Sequence, residues 1–454
     1  MSTAATTDVG IRQSYEADSS GLHMLPDMVA RPESIEDVIE IIRRAASSRI
    51  SVTCAGAQTS TTGASITDKG MLLSLRSLNQ IDAVDRKART VTVGPGATVA
   101  DVKRAASAVG LLFAPDPTSE EESTIGGAIA CNASGARTFK YGATRRHVRA
   151  LKVVMADGAL MEFRRSDLEK NTVGYAFAHD PIDWFIGSEG TLGVIVEAEL
   201  RLLPLPEHVI GLAVLFEAET EALKFVVASR EAESVAPRCI EYFDDQALAI
   251  ARRSDSDVGI PEGAHAMVYV EEEVFDLDAS LASWLELIES IATMFEPLVF
   301  DGETRLRDAR RIRHSIPATM NERGGEHQRF GGRKVGTDWA VPYHKLADAI
   351  KVARSFAADR SLEAPVIYGH AGNGHPHQNF IARDHRELTT IEEVVEQTLK
   401  YILGLGGTVA AEHGIGKLKR RWLPLQMNSL QISMMTAVKR ELDPLGILAP
   451  GNIL

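Results

Sequence analysis

The chain is poor in cysteine, in basic excess and in long apolar runs, and each shortage excludes something. Its three cysteines, Cys54, Cys131 and Cys239, are scattered and odd in number, which fits a reducing compartment better than a disulfide framework. No Cys-x-x-Cys pair occurs, so neither an iron–sulfur cluster nor a cysteine-based zinc site is encoded. Lys and Arg number 49 against 62 Asp and Glu, a formal charge of −13, and no nucleic-acid partner is expected. The longest uncharged stretches, 50–67 and 364–382, are rich in Ser, Thr, Gly, Asn or His, so no transmembrane segment is expected. The start, MSTAATTDVG, carries acid and hydroxyl residues where a secretory signal needs basic and then apolar ones. A cytoplasmic location follows as the expectation, with peripheral contact at a membrane left open. Neither G-x-x-x-x-G-K-[ST] nor a strand-following G-x-G-x-x-G is present, which disfavours a nucleoside triphosphatase and a Rossmann dinucleotide fold.

What is present is globular: 454 residues, 44% apolar and 24% charged. At roughly 150 residues per domain the length suggests two or three domains. Ser34 with Asp37 forms a helix start signal ahead of Val38, Ile39, Ile41 and Ile42. Strand patterns fall near 50–53, 71–75, 90–93, 151–155 and 193–203, with a helix near 99–109. Strands and helices alternate, so an α+β or α/β architecture is predicted. Glycine density drops after Leu205-Pro206 and returns at 404–416, which divides the chain into 1–206, 207–403 and 404–454.

Four glycine-rich pieces crowd the first part: 55–63, Gly94-Pro95-Gly96, the run Thr124-Ile125-Gly126-Gly127 to Asn132-Ala133-Ser134-Gly135, and Gly187-Ser188-Glu189-Gly190-Thr191-Leu192-Gly193. Small side chains with interleaved hydroxyls let backbone N–H and O–H donors surround a diphosphate without any lysine, although each loop alone reads equally as a turn.

A second pattern lies in the later part. Three of the thirteen histidines, His370, His375 and His377, fall within eight residues of Gly369-His370-Ala371-Gly372-Asn373-Gly374-His375-Pro376-His377-Gln378-Asn379. If residues 375–380 are extended, His375, His377 and Asn379 share one face, and the glycines let His370 fold back towards them. Converging neutral imidazoles suit a divalent cation, zinc before magnesium, while the alternative is a polar solvated loop. Thr408-Val409-Ala410-Ala411 reads as a strand ending at Glu412-His413-Gly414-Ile415-Gly416, on which neighbouring residues point opposite ways.

These motifs, together with Arg31-Pro32, Pro115-Asp116-Pro117 and Tyr141-Gly142, occur in an order that resembles the flavoprotein oxidases and dehydrogenases with a vanillyl-alcohol-oxidase type FAD-binding domain. Within them the chain looks like the branch of D-lactate, D-2-hydroxyglutarate and glycolate dehydrogenases, and the likeness runs from Arg31 to Leu454. The resemblance implies an α+β fold: a two-subdomain FAD-binding domain over 1–206, a mixed α/β substrate (cap) domain over 207–403, and a segment 404–454 returning towards the FAD site with Glu412 and His413. It implies that Ala55, Gly56, Ala57, Gln58, Thr59 and Ser60 wrap the FAD pyrophosphate. Pro115, Asp116, Thr124, Gly126, Gly127, Asn132, Ser134, Gly135 and Ile195 would contact the rest of the cofactor. Where the family has an Arg and three glycines, this chain has Cys54-Ala55-Gly56-Ala57-Gln58, adding methyl groups where backbone approach matters. No histidine lies in that loop, so FAD is expected to be non-covalent.

Carried over by position, His370, His377 and Glu412 match the family's metal ligands and His413 its catalytic base. Arg313 and Lys334 match cationic residues for a substrate carboxylate, and Asn379 a residue near the substrate hydroxyl. Asn373, His375 and Pro376 stand where the family commonly has Asp, Asn and Leu, and His375 is then a possible extra ligand. The stretch 305–313 holds five arginines, so a solvated helix face competes with the role of Arg313. The implied reaction oxidises a small D-2-hydroxy acid to the 2-oxo acid, with metal-assisted deprotonation of the hydroxyl and electrons passed to a quinone, a cytochrome or an electron-transfer flavoprotein. An oxidase using O₂ and the family's non-redox, ether-lipid-forming branch are alternatives within the family. A metal-dependent hydrolase and an FAD-fold binding protein each account for only one half of the pattern. A homodimer is the expected assembly.

Overall fold

A computed structural model describes residues 5–254, 259–291 and 293–454; the first four residues of the N-terminal segment lie outside these. Sheets and helices are mixed as the α+β expectation requires, and they divide into two compact units. The first comprises Met1–Gly135, Gly142–Leu205 and Glu412–Leu454, the second Ala136–Tyr141 and Pro206–Ala411.

In the first unit, helix Ile35–Ser48 begins where Ser34 and Asp37 exchange the reciprocal hydrogen bonds of a capping box. Val38, Ile41, Ile42 and Ala45 recur at helical spacing and are buried against Val52, Met71 and Leu73. Burying a Val or Ile side chain contributes about 1.5–3 kcal/mol, so this face fixes the helix on its sheet. That sheet is parallel, with Met71–Ser74 between Met28–Ala30 and Val52–Ala55. The carboxyl-terminal tail pairs beside it: the Val52 N–H donates to the Ile447 carbonyl at 2.7 Å, and the Ala449 N–H to the Val52 carbonyl at 2.7 Å. A second, antiparallel sheet runs Thr90–Val93, Val194–Arg201, Val148–Val154, Leu160–Arg164. Helices Val99–Ser107 and Ile125–Cys131 cover it through Val99, Val102, Ala106, Ile125, Ala128 and Ile129.

The second unit is built on a seven-stranded antiparallel sheet in the order Leu298–Asp301, Val209–Phe216, Ala266–Glu273, Pro237–Phe243, Val366–His370, His375–Asp384, Gly331–Gly336. Helices Asp245–Ser254 and Gly302–Glu326 pack on one face, where Leu248, Ile250, Ile312, Ile316 and Met320 meet Phe243, Met267, Val366 and Tyr368. Among the described residues no helix is long and apolar enough to cross a membrane.

The expected strand at 408–411 is not formed. Thr408 makes a single bridge to Ala340, and its hydroxyl then captures the backbone of Ala410, donating to the carbonyl at 3.1 Å and accepting from the N–H at 3.4 Å. A threonine that bonds its own backbone two residues on bends the chain out of a ladder.

Strands Val366–His370 and His375–Asp384 form a hairpin pairing Tyr368 with His377 and His370 with His375. Gly374 closes its turn with φ +68, where a Cβ would strike the Val341 carbonyl oxygen. A left-handed non-glycine residue costs about 1–3 kcal/mol before any clash is counted. Gly374→Ala is therefore expected to lower the thermal unfolding midpoint by several degrees, and an unchanged midpoint would show that the turn tolerates a side chain.

Candidate functional site

In the first unit, backbone hydrogen bonds stitch the glycine-rich loops together. The Gly126 N–H donates to the Pro95 carbonyl at 2.9 Å, Gly187 to Ile129 at 3.0 Å and Glu189 to Ala130 at 2.8 Å. Thr124 caps the short helix Ile125–Cys131, accepting from the Gly127 N–H at 3.3 Å. Loop 55–60 lies against this cap so closely that a Cβ on Gly56 would overlap the Thr124 hydroxyl. Gln58 adopts φ +57 and its side-chain amide donates to the Tyr15 and Ala17 carbonyls at 3.0 and 3.1 Å, so the side chain anchors the loop. The backbone N–H groups of residues 57–60 donate to no protein acceptor among the described residues. Residues 56–60, Gly126, Gly127, Asn132 and Ser134 are half-buried, whereas Pro115 and Gly135 are buried. A run of unspent N–H groups beside small, half-buried residues is the donor set that a diphosphate takes. Asn132 spends its carbonyl on the Arg145 N–H at 3.0 Å, and Ile195 places its side chain in the sheet core. Burial pushes the thiols of Cys54 and Cys131 up to about 12, so neither is a thiolate near neutrality.

The same unit carries Glu412 and His413. Their side chains do not diverge as an extended strand would make them: His413 Nε2 lies 3.5 Å from Glu412 Oε1. Ser134 donates to Glu412 Oε2 at 3.2 Å and Thr62 to the His413 carbonyl at 3.4 Å. Glu189, buried in the fourth glycine loop, accepts from the N–H groups of Ile415 and Gly416 at 2.6 and 2.8 Å. Desolvation raises the Glu189 pKa against the pull of these hydrogen bonds. Glu189 was not singled out from sequence; its position inside a loop that needs only small residues is the one signal it offered.

In the second unit the histidine hairpin is buried. The ring centroids of His375 and His377 are 4.8 Å apart, and those of His370 lie 5.4 and 5.3 Å from them. One donor atom from each of Asp338, His375 and His377 lies within 4.8 Å of the others. His375 Nε2 sits 3.0 Å from Asp338 Oδ1, but at an angle that makes no hydrogen bond, and has no other partner. A buried imidazole nitrogen left with only a carboxylate oxygen beside it fits a divalent cation, and nitrogen-rich donors favour zinc. Asp338 is held in place from the other side, since the Ala411 N–H donates to its carbonyl at 2.8 Å and to Oδ2 at 3.2 Å.

His370 is engaged differently. Its Nδ1 lies 2.6 Å from Glu241 Oε1 and its Nε2 3.2 Å from Arg313 Nη2. A guanidinium only donates, so the contact with Arg313 is a hydrogen bond when Nε2 is the bare nitrogen and Nδ1 the donor to Glu241. Arg313 also donates to Glu241 Oε2 at 2.6 Å, with 12% of its side chain exposed against 69% for Arg311. Burial alone would push the Glu241 carboxyl up, but His370 and Arg313 outweigh it and hold it at about 2. Arg313 is therefore not on a solvated helix face. Asn379 presents a buried amide nitrogen without a hydrogen-bond partner. Lys334 pairs across strands with Ile381, two residues beyond Asn379, so it shares their face. Its Nζ donates to Asn321 at 2.9 Å, and desolvation pushes its pKa down to about 8. Asp338 and Glu241 escaped the sequence reading because their partners lie far along the chain.

Comparison with known proteins also divides the chain near residue 205, although the second match runs on through the carboxyl-terminal segment that belongs to the first unit. Residues 26–164 match the family described as FAD binding domain, and residues 205–453 the family described as FAD linked oxidases, C-terminal domain. The glycolate oxidase subunit GlcD of Bacillus subtilis is 31% identical over 453 residues, covering 97% of this chain and 91% of the relative. A D-2-hydroxyglutarate dehydrogenase of Xanthomonas citri pv. viticola is 31% identical over 444 residues, covering 94% and 89%. A D-lactate dehydrogenase of Archaeoglobus fulgidus is 29% identical over 429 residues, covering 94% and 91%. Among solved structures, an alkyldihydroxyacetonephosphate synthase superposes with a TM-score of 0.73 at 17% identity, covering 99% of this chain and 83% of that one, a likeness of fold. Fold and matched segments together define a flavin-dependent oxidoreductase. The chain belongs to the FAD-linked oxidases, carrying both their FAD-binding and their carboxyl-terminal domain.

Because Lys334 loses its proton near pH 8, its amine becomes nucleophilic roughly two pH units before an ordinary lysine. Cyanate labelling followed by peptide mass spectrometry is expected to modify Lys334 half-maximally near pH 8, and labelling that starts only above pH 10 would show the amine to be solvated.

Proposed function

We propose that this chain is a dehydrogenase of D-2-hydroxy acids that produces the 2-oxo acid. The observation that carries the reading is the buried group of Asp338, His375 and His377, beside the strands that carry Lys334 and Asn379 and the helix that carries Arg313, in a chain of the FAD-linked oxidase family. The names of the relatives support the substrate class, since they include a glycolate oxidase subunit and dehydrogenases of D-lactate and D-2-hydroxyglutarate. FAD, bound non-covalently, would supply two-electron acceptance, and a divalent cation, zinc by its donor set, would supply polarisation of the substrate hydroxyl.

The chain's own groups do the rest. The N–H groups of 57–60 and the helix cap at Thr124 hold the cofactor diphosphate. His375, His377 and Asp338 would hold the cation, with Glu412, which matches a ligand of the family by position, as a further donor. His370 matches the family's ligand by position, and its ring lies between Glu241, 2.6 Å from Nδ1, and Arg313, 3.2 Å from Nε2, while Glu241 also accepts from Arg313 directly at 2.6 Å. Arg313 and Lys334 neutralise the substrate carboxylate, and the Asn379 amide donates to the hydroxyl oxygen. His413 takes the hydroxyl proton as the Cα hydrogen leaves with its electron pair, and Glu412, 3.5 Å from His413, steadies the imidazolium that forms. An external acceptor of the quinone, cytochrome or flavoprotein type then removes the two electrons.

Anaerobic addition of D-lactate or D-2-hydroxyglutarate to the purified holoprotein is expected to bleach the visible flavin band, with L-enantiomers inactive. His413→Ala is expected to slow bleaching by about 10²–10⁴-fold, the usual contribution of a general base. A flavin that stays oxidised with every 2-hydroxy acid, or a variant that bleaches as fast as the parent, would overturn the assignment.

A further inference from the structure

His375 and Asp338 come to the candidate cation site on two separate pieces of chain. His375 follows the turn 371–374 of the histidine hairpin, and Asp338 opens a segment, 338–343, that passes beside this turn. A backbone bond joins the two pieces, the Val341 N–H donating to the Gly374 carbonyl at 3.0 Å. A bond at one point leaves rotation about it open, yet His375 Nε2 and Asp338 Oδ1 stand only 3.0 Å apart. Arg230, in the last turn of helix Glu219–Glu231, supplies a second point. Its Nη1 donates to the carbonyl of Gly372, a buried residue three positions before His375. Its guanidinium carbon lies 4.2 Å from the ring centroid of Tyr343, five positions after Asp338, and 5.1 Å from that of Phe139. Both rings are fixed in turn. The Tyr343 hydroxyl donates to Glu231 Oε1 at 2.8 Å, and Phe139 abuts Gly372 so closely that a Cβ there would come within 2.9 Å of the ring.

We propose that Arg230 is a positioning residue for the cation site: it ties the turn that leads into His375 to the segment that carries Asp338, and so holds their donor atoms at the spacing that one shared cation requires. Arginine suits the task because its plane stacks on aromatic faces while the N–H groups at its edge still donate; a lysine offers a point charge and no plane. Arg230 itself is exposed, so it fills no core and its removal leaves no internal cavity. A cation–ring contact at such a site is weak taken alone. Its effect here comes from one rigid group closing on both pieces at once. Partners that orient metal ligands without touching the metal typically change its affinity by about 10–100-fold. The inference rests on the cation reading for its consequence, and on the contacts of Arg230 for the tether.

The test reads binding and local opening, not turnover. The purified FAD-loaded protein, stripped of metal with a chelator, is titrated calorimetrically with Zn²⁺, and amide exchange across 371–375 is followed by mass spectrometry before any metal is added. Arg230→Ala is expected to weaken Zn²⁺ binding by about tenfold or more and to speed exchange across the turn by a similar factor, with a thermal midpoint close to the parent's. Tyr343→Leu, which removes the other end of the tether, should do the same. The two losses should not add in the double variant, because either one alone releases the tether. Arg230→Lys keeps a donor without the stacking plane, is expected to fall between parent and alanine, and replaces the alanine variant should that fail to fold. An affinity that Arg230→Ala leaves intact, or losses that add in full, overturns the assignment. Should the parent take up no Zn²⁺ while exchange still rises without additivity, the cation reading falls and the tether stands; should exchange also stay unchanged, both fall.

Discussion

Burying three imidazoles on one sheet face is possible only where each ring nitrogen has something to meet, and that constraint organises the second unit. His370 meets it with protein groups alone: Glu241 accepts from one nitrogen and Arg313 donates to the other. Glu241 is doubly engaged, so the same carboxylate that meets His370 Nδ1 also fixes the guanidinium. Removing one member of such a buried group typically costs about 3–5 kcal/mol, because an uncompensated charge remains. His375 meets the constraint only half-way, with a carboxylate oxygen beside Nε2 and no hydrogen bond. The difference between the two histidines is that His375 Nε2 keeps bonding capacity which the protein groups beside it do not use.

The first unit solves a different problem with opposite means. Its glycine-rich loops are built of small residues, tied by backbone hydrogen bonds at 95, 124–135 and 187–190 and, at 55–60, by the Gln58 side chain. The N–H groups left over at 57–60 are the counterpart of the unspent nitrogen at His375: polar capacity that the fold creates and does not itself consume. Glu189 spends two acceptor sites on the turn that follows His413, so the loop stack also sets the geometry of the segment proposed to carry the base. The Ala55 and Ala57 methyls are accommodated because Gly56, between them, is the residue that meets Thr124.

Local chemistry was legible in the sequence wherever the partners are near in the chain. The Ser34 and Asp37 capping box lies within four residues of itself, and helix Ile35–Ser48 begins where it directs. Period-two spacing put His375, His377 and Asn379 on one face, and the strand His375–Asp384 has that geometry. The pattern failed at 408–411, where threonine's competing bond to its own backbone outweighed an alternation of apolar residues. It was silent on Glu241 and Asp338, whose functional neighbours are brought to them by strand pairing rather than by spacing. Nor could it rank the five arginines between 305 and 313: Arg313 is set apart by Glu241 on a strand 72 residues away.

The central claim is that the imidazoles of His375 and His377, with the Asp338 carboxylate, hold a divalent cation. X-ray absorption at the edge of the metal retained by the purified protein tests it most directly. The account predicts a first shell containing two imidazole nitrogens at about 2.0–2.1 Å together with oxygen donors. A shell of oxygens alone, a sulfur contribution, or a protein that retains no metal would contradict it.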